Sequence, residues 1–234
     1  MFALSPVELE ALRLSLRVGL WSVAASLPFG ILTAWLLARC DFPGKTVVNG
    51  IVHLPLVLPP VVVGYALLIL LGRRGAVGSW LYDAFGITFA FTWRGAAVAA
   101  AVMAFPLMVR AIRLSLESVD RKLEEAARTL GAKPADVFAT VTLPLIAPGI
   151  VTGTILSFVR GLGEFGATIT FVSNIPGETQ TLPLALYSLT QTPGGDAGAV
   201  RLAVIAVILA MAALIASEIV ARRVNARLNG PHDA

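Results

Sequence analysis

Few residues in this chain could do chemistry, and the most conspicuous are Arg160 and Glu164, two charges inside a long apolar run. They stand four apart, so on a helix they share one face and can reach each other. A charge in mid-membrane costs about 2.5–3.5 kcal/mol on insertion scales, so it tends to be paired or to face water. Two uses stay open: mutual neutralisation at the outer end of a span, or a positive potential from Arg160 toward a passing anion, tuned by Glu164. Gly161, Gly163 and Gly166 would let the helix unwind here and present backbone N–H groups to that anion. Other chemistry is missing from the sequence. His53 and His232 approach no metal-ligand spacing, and His53 reads as a packed or hydrogen-bonding residue at the start of a Pro-rich span. The single cysteine, Cys40, excludes an internal disulfide. There is no Walker A loop, no GxGxxG after a strand and no Ser/His/Asp array. The chain therefore offers no catalytic, metal or cofactor site, and any energy it uses must come from a partner.

The elements that would position Arg160 and Glu164 are membrane spans. The 234 residues are 57% hydrophobic and 14% charged, with mean hydropathy +0.83, against about 25% charged in soluble domains. Five segments are long and apolar enough to cross about 30 Å of hydrocarbon: Leu14–Ala38, Gly50–Leu71, Gly95–Leu114, Leu145–Val172 and Val200–Ala221. The fourth is longer than a span needs and is expected to break at its glycines. Pro28, Pro55, Pro59, Pro60 and Pro106 interrupt the others. "LPLVLPPVVVGY" (54–65) reads either as irregular packing or as the lining of a cavity or moving part. "GAAVAAAVMA" (95–104) would let another helix approach closely. Thr181–Leu189 is apolar but too short to span, which suggests a short helix or re-entrant segment at the outer face. The N-terminus lacks the positive region of a signal peptide, and "LLARC" is a poor lipoprotein box.

Charge sets the expected orientation. Eleven of the eighteen Lys and Arg follow the first, third and fifth spans; six lie on the opposite connections, Arg13 and Arg17 among them. The positive-inside rule then places loop 115–144 and the C-terminus in the cytoplasm and the N-terminus outside. The net charge of +4 is accounted for by this distribution and is no nucleic-acid signal.

Loop 115–144 is the most polar part of the chain. Leu116, Val119, Leu123, Ala126, Ala127 and Leu130 recur at three- and four-residue spacing, one apolar stripe on a helix over 116–131. Asp120 suits its N-cap and Gly131 its left-handed end, and Pro134 suits the first turn of a second short helix, 134–140. The stripe is thin, two alanines beside a glycine. The residues alone leave it open whether the helix lies on lipid headgroups or fits a groove in another protein.

Glu125-Ala126-Ala127, then Gly131, then Val141-Thr142-Leu143-Pro144, resembles the EAA loop of ABC importer permeases. Val141 replaces the family's isoleucine. The resemblance implies a coupling helix that docks on a cytoplasmic ATPase subunit, with Glu125, Ala126, Ala127, Gly131, Val141, Leu143 and Pro144 at the junction. A second stretch, "GLGEFGATITFVSNIPGETQTLPLALYSLTQTPGG" (161–195), is similar to the molybdate branch of that superfamily; sulfate and tungstate permeases share its "GEFGA" part. The similarity extends from the first span to Arg223. It implies an all-α integral membrane protein of five transmembrane helices with the type I ABC importer permease fold, acting as a homodimer. It further implies two ATP-binding cassette subunits that hold ATP and magnesium, an external molybdate-binding protein, and a place in the plasma (inner) membrane. A gate or pathway at Arg160, Gly161, Gly163, Glu164 and Gly166 is the matching expectation. A passive channel or membrane scaffold is the other class that composition allows.

Overall fold

The computed structural model describes residues 4–229, which are entirely helical apart from turns and loops. Helix α1 (Pro6–Arg39) begins in a capping box: the Glu8 N–H donates to the Ser5 hydroxyl at 3.3 Å, and the Ser5 N–H donates to Glu8 Oε2 at 2.7 Å. It runs straight through Pro28 for 34 residues. Helices α2 (Lys45–Val57) and α3 (Pro60–Leu71) follow, then a short α4 (Ala76–Phe85) and the long α5 (Trp93–Ser118). The polar loop holds α6 (Arg121–Thr129) and α7 (Pro134–Val137). A five-residue π-turn (Phe138–Thr142) leads into α8 (Leu143–Leu162). Helices α9 (Gly166–Val172), α10 (Leu182–Thr190) and α11 (Asp196–Asn229) complete the fold.

Two expected spans differ from straight rods. The segment expected at 50–71 is a bent pair: α2 and α3 meet at 116° across Leu58 and Pro59. Pro59 and Pro60 in tandem cannot donate to preceding carbonyls, and their rings crowd the earlier turn, so the helix stops and restarts. The segment expected at 145–172 breaks between Leu162 and Gly166 into α8 and α9. Among the described residues four helices are long and apolar enough to cross a membrane, and five spans result when α2 and α3 count as one.

α5 is the axis of the fold, packed between α1 and α8. The approach of α8 is close because α8 presents a small residue at every fourth position: Gly149, Gly153, Ser157 and Gly161, all buried. A Cβ on Gly149 would lie 2.3 Å from Ser115 Cβ, and one on Gly153 would lie 3.1 Å from the Met108 carbonyl. Ser157 donates to the Ala104 carbonyl at 3.3 Å, and Gly161 faces Ala100. The stripe thus descends α5 from residue 115 to residue 100, the close backbone packing that holds helices together where lipid gives no hydrophobic drive. The alanines of 95–104 are buried on this side and against α3 and α9.

One end of the bundle is tied by polar contacts among α1, α10 and α11. The Leu182 N–H donates to Ser15 Oγ at 2.6 Å, and Arg201 binds Glu8 at 2.8 Å. α10 occupies the short apolar stretch expected to pack at a membrane face, against α1 and α11. At the same end Arg17 stacks over Trp93 at 3.7 Å, with Trp21 beside it. The guanidinium on an apolar helix is thereby held on an aromatic face.

The broken span rests on α3 through Gly64, where an added Cβ would stand 2.5 Å from the Ala167 carbonyl oxygen and 2.8 Å from its Cα. Gly64→Ala should therefore push α9 off α3 and lower stability by about 1–3 kcal/mol, the usual range for overpacking. Gly50→Ala, where nothing lies within 4 Å, should leave the thermal midpoint of the detergent-solubilised protein unchanged or raised.

Candidate functional site

The polar loop is a helix on a tether. Asp120 caps α6, accepting from the Lys122 N–H at 3.0 Å, and the helix ends at Gly131 with φ +90°. Both ends match expectation; the grouping of Leu116 and Val119 with this helix's stripe does not. Leu116 belongs to α5 and is buried with Val119 in the core around α5 and α8, so the free helix begins at Arg121. The remaining stripe faces away from the chain: Leu123 is 50% and Leu130 89% exposed, with Ala126 exposed between them. Ala127 is half-buried on the inner side and Glu125 is exposed.

The tether is Glu124, the residue before the motif glutamate. Its Oε1 accepts from Arg39 Nη2 at 3.1 Å and from the Thr142 hydroxyl at 2.8 Å. Arg39 Nη2 also reaches the Val119 carbonyl at 3.3 Å. The two charged side chains are only 10% and 14% exposed. One carboxylate oxygen thus joins the last residue of α1, the turn leaving α5, the first turn of α6 and the foot of α8. Sequence reasoning passed over Glu124 because its partners lie 85 and 18 positions away. The one local trace is the doubled glutamate, of which a single helix face can keep only one in water.

The second part of the motif forms the π-turn. In place of an expected helix over 134–140, α7 covers Pro134–Val137 and the backbone widens over Phe138–Thr142, with the Leu143 N–H bonding to the Phe138 carbonyl. Pro144 supplies the reason. It has no N–H, and its ring would press on the carbonyl four residues earlier; one extra residue in the turn relieves both. Val141 and Leu143 are half-buried at this foot and Leu143 packs on the α5 core, while Pro144 is exposed in the first turn of α8.

At the other end of α8, Arg160 Nη1 and Glu164 Oε2 form an ion pair at 2.6 Å. Glu164 is 2% exposed, and its other oxygen accepts the Ala167 N–H at 2.9 Å. It therefore caps α9 while neutralising Arg160, which keeps 30% of its side chain exposed. None of Gly161, Gly163 and Gly166 has positive φ, and only Gly166 is required by space. Gly161 packs on Ser22 and Ala100, and Gly166 lets the first turn of α9 meet Pro60, 2.8 Å from where a Cβ would stand. Gly163 ends α8 and is exposed. The residues of loop 115–144 and the Arg160–Glu164 group thus sit toward opposite ends of α8. His53 hydrogen-bonds through Nδ1 to the Asn49 carbonyl at 2.9 Å, and His232 lies outside the described residues.

Residues 26–229 match the family described as binding-protein-dependent transport system inner membrane component. The chain belongs to this family. Its members are inner membrane components of transport systems, so the chain is a multi-pass transport subunit and not an enzyme. Among its relatives, the molybdenum transport system permease protein ModB of Escherichia coli (strain K12) is 65% identical over 219 residues, covering 94% of this chain and 96% of that one. ModB of Haemophilus influenzae is 56% identical over 222 residues, covering 95% and 97%. The sulfate transport system permease protein CysW of Synechocystis is 38% identical, covering 92% and 77%. Among solved structures, a bacterial alginate ABC transporter in complex with an alginate-pentasaccharide-bound periplasmic protein superposes with TM-score 0.73 at 18% identity, over 94% of this chain and 80% of that one. The MetNI methionine ABC transporter, in inward-facing conformations, gives 0.66 at 19% identity, over 93% and 94%. The fold is that of the type I ABC importer permeases.

Removing one partner of the Arg39–Glu124 pair leaves the other charge sheltered and alone, whereas removing both does not. Arg39→Gln and Glu124→Gln should each lower the unfolding midpoint in detergent, and the double variant should cost less than their sum. The coupling energy from the cycle should fall within about 0.5–3 kcal/mol.

Proposed function

We propose that two copies of this chain form the translocation path of an ATP-driven molybdate importer. Each copy receives one ATP-binding cassette subunit against α6. ATP and magnesium sit in those subunits, and an external binding protein delivers the anion. The N-terminus and α10 face outside, and α6 and the C-terminus face the cytoplasm, as the distribution of Lys and Arg favours.

The observation that carries coupling is the exposed strip Leu123–Ala126–Leu130 on a helix whose opposite face is pinned by Glu124. A thin apolar strip on a rigidly held helix suits a cleft in a rigid partner. Pressure on α6 then passes through Glu124 to α1 and through the π-turn to α8. ATP would bias the assembly by binding better to one of two arrangements of the spans. The cargo is supported by the ModB relatives. Sulfate is the second reading, favoured by the CysW likeness, and tungstate shares the same charge and shape.

Ala126→Asp, which places a charge in the strip, should leave the protein inserted but abolish ATP-driven uptake. Wild-type uptake by that variant overturns the coupling role. Labelled molybdate uptake into vesicles holding the whole transporter, with sulfate and tungstate as competitors, assigns the cargo. At the other end of α8, the exposed part of Arg160 is open to a passing anion. Arg160→Gln in liposomes should lower transport more than ATP hydrolysis; equal loss of both would assign Arg160 to structure alone.

A further inference from the structure

α2 buries no residue completely, and two polar side chains interrupt its apolar sequence, Asn49 and His53, one helical turn apart. They face Arg110 and Arg113 of α5 across a cleft of about 270 Å³, which Leu114 and Glu117 complete. Arg113 is engaged on two sides. Its Nε binds Glu117 at 2.7 Å and its Nη1 binds the Asn49 side-chain oxygen at 3.1 Å. Because a carbonyl only accepts, His53 Nδ1 donates to the Asn49 carbonyl, and Nε2 has no partner among the described residues. Arg110 is exposed and has no ion pair or hydrogen bond among the described residues. It stands eight residues before the end of α5, about 12 Å along the helix axis.

Arg110 lies one helical turn inside the expected end of the third span at Leu114, where an exposed and unpaired arginine calls for water or an anion. Two arginines against one glutamate leave the cleft with a surplus positive charge, and the guanidinium fork matches a tetrahedral oxyanion. We propose that this cleft is an oxyanion site: Arg110 is its free ligand, Arg113 is held in place by Asn49 and Glu117, and His53 Nε2 lies at its edge. It opens near the end of α5 that carries α6, and so marks the inner end of the translocation path. This rests on the importer reading and adds a waypoint where the anion is held before release.

The test uses the whole transporter, permease with its ATPase, in nanodiscs of zwitterionic lipid, carrying Leu114→Cys in a Cys40→Ser background. The rate at which a negatively charged methanethiosulfonate modifies Cys at 114 is followed. Millimolar molybdate should slow it severalfold, and Arg110→Gln should remove that protection. Arg110→Gln should also cut uptake about tenfold or more, the scale of one charge-assisted hydrogen bond, whereas Arg110→Lys keeps most of it. A modification rate indifferent to molybdate overturns the site, as does slowing by added anionic lipid alone, which would make the cleft a headgroup seat. Wild-type molybdate uptake in vesicles, measured separately, tests the importer reading on its own.

Discussion

The close contact of α8 with α5 is the interaction on which the other features depend. Four small residues at four-residue intervals line this seam, and at Gly149 the approach is one that a single methyl group would forbid. Because that seam fixes α8 along most of its length, both of its ends become defined places. At one end the chain breaks and α9 turns onto α3; at the other, the π-turn and the polar loop emerge. A loose α8 would leave both without a reference.

Each end carries one carboxylate that does two jobs at once. Glu164 neutralises Arg160 and caps the next helix, and Glu124 neutralises Arg39 and takes the Thr142 hydroxyl. The economy follows from the surroundings. Where water is scarce, an oxygen left without a donor is costly. The two sites differ in what they hold. Glu164 joins neighbours in sequence across a break, whereas Glu124 joins three elements that the sequence keeps far apart.

Much of this was legible in the residues. The apolar runs, the proline pair at 59 and 60, the glycine-rich end of the fourth segment and the Asp120 and Gly131 caps all announce local events, and local events are what residue order encodes. The helical membrane class followed from them, whereas the permease fold came from the resemblance carried by Glu125–Pro144 and the stretch 161–195. Other features escaped for a physical reason. Periodicity shows that a helix has an apolar side but not which body covers it, so Leu116 was grouped with Leu123 although one lies in the core and the other faces out. The break at the glycines of 161–166 was expected and is there, but the close approach of Gly166 to Pro60 was not read, and the small residues at 149, 153 and 157 were not joined to Gly161. The proline pair announces that α2 and α3 part, but not the 116° between them. Glu124 was hidden because an ion pair spanning 85 positions leaves no mark on its neighbours.

The π-turn has a mechanical meaning. A widened turn is one residue of slack in a helix, and in an ordinary helix that slack can travel, each turn passing it to the next. Here Pro144 and Pro148 stand immediately above it. Neither can supply the N–H that a travelling bulge would need, so the slack is trapped at the foot of α8. Under the proposed coupling role, a push through α6 would therefore reach the span at that one place, between a pinned helix and a stiff α8.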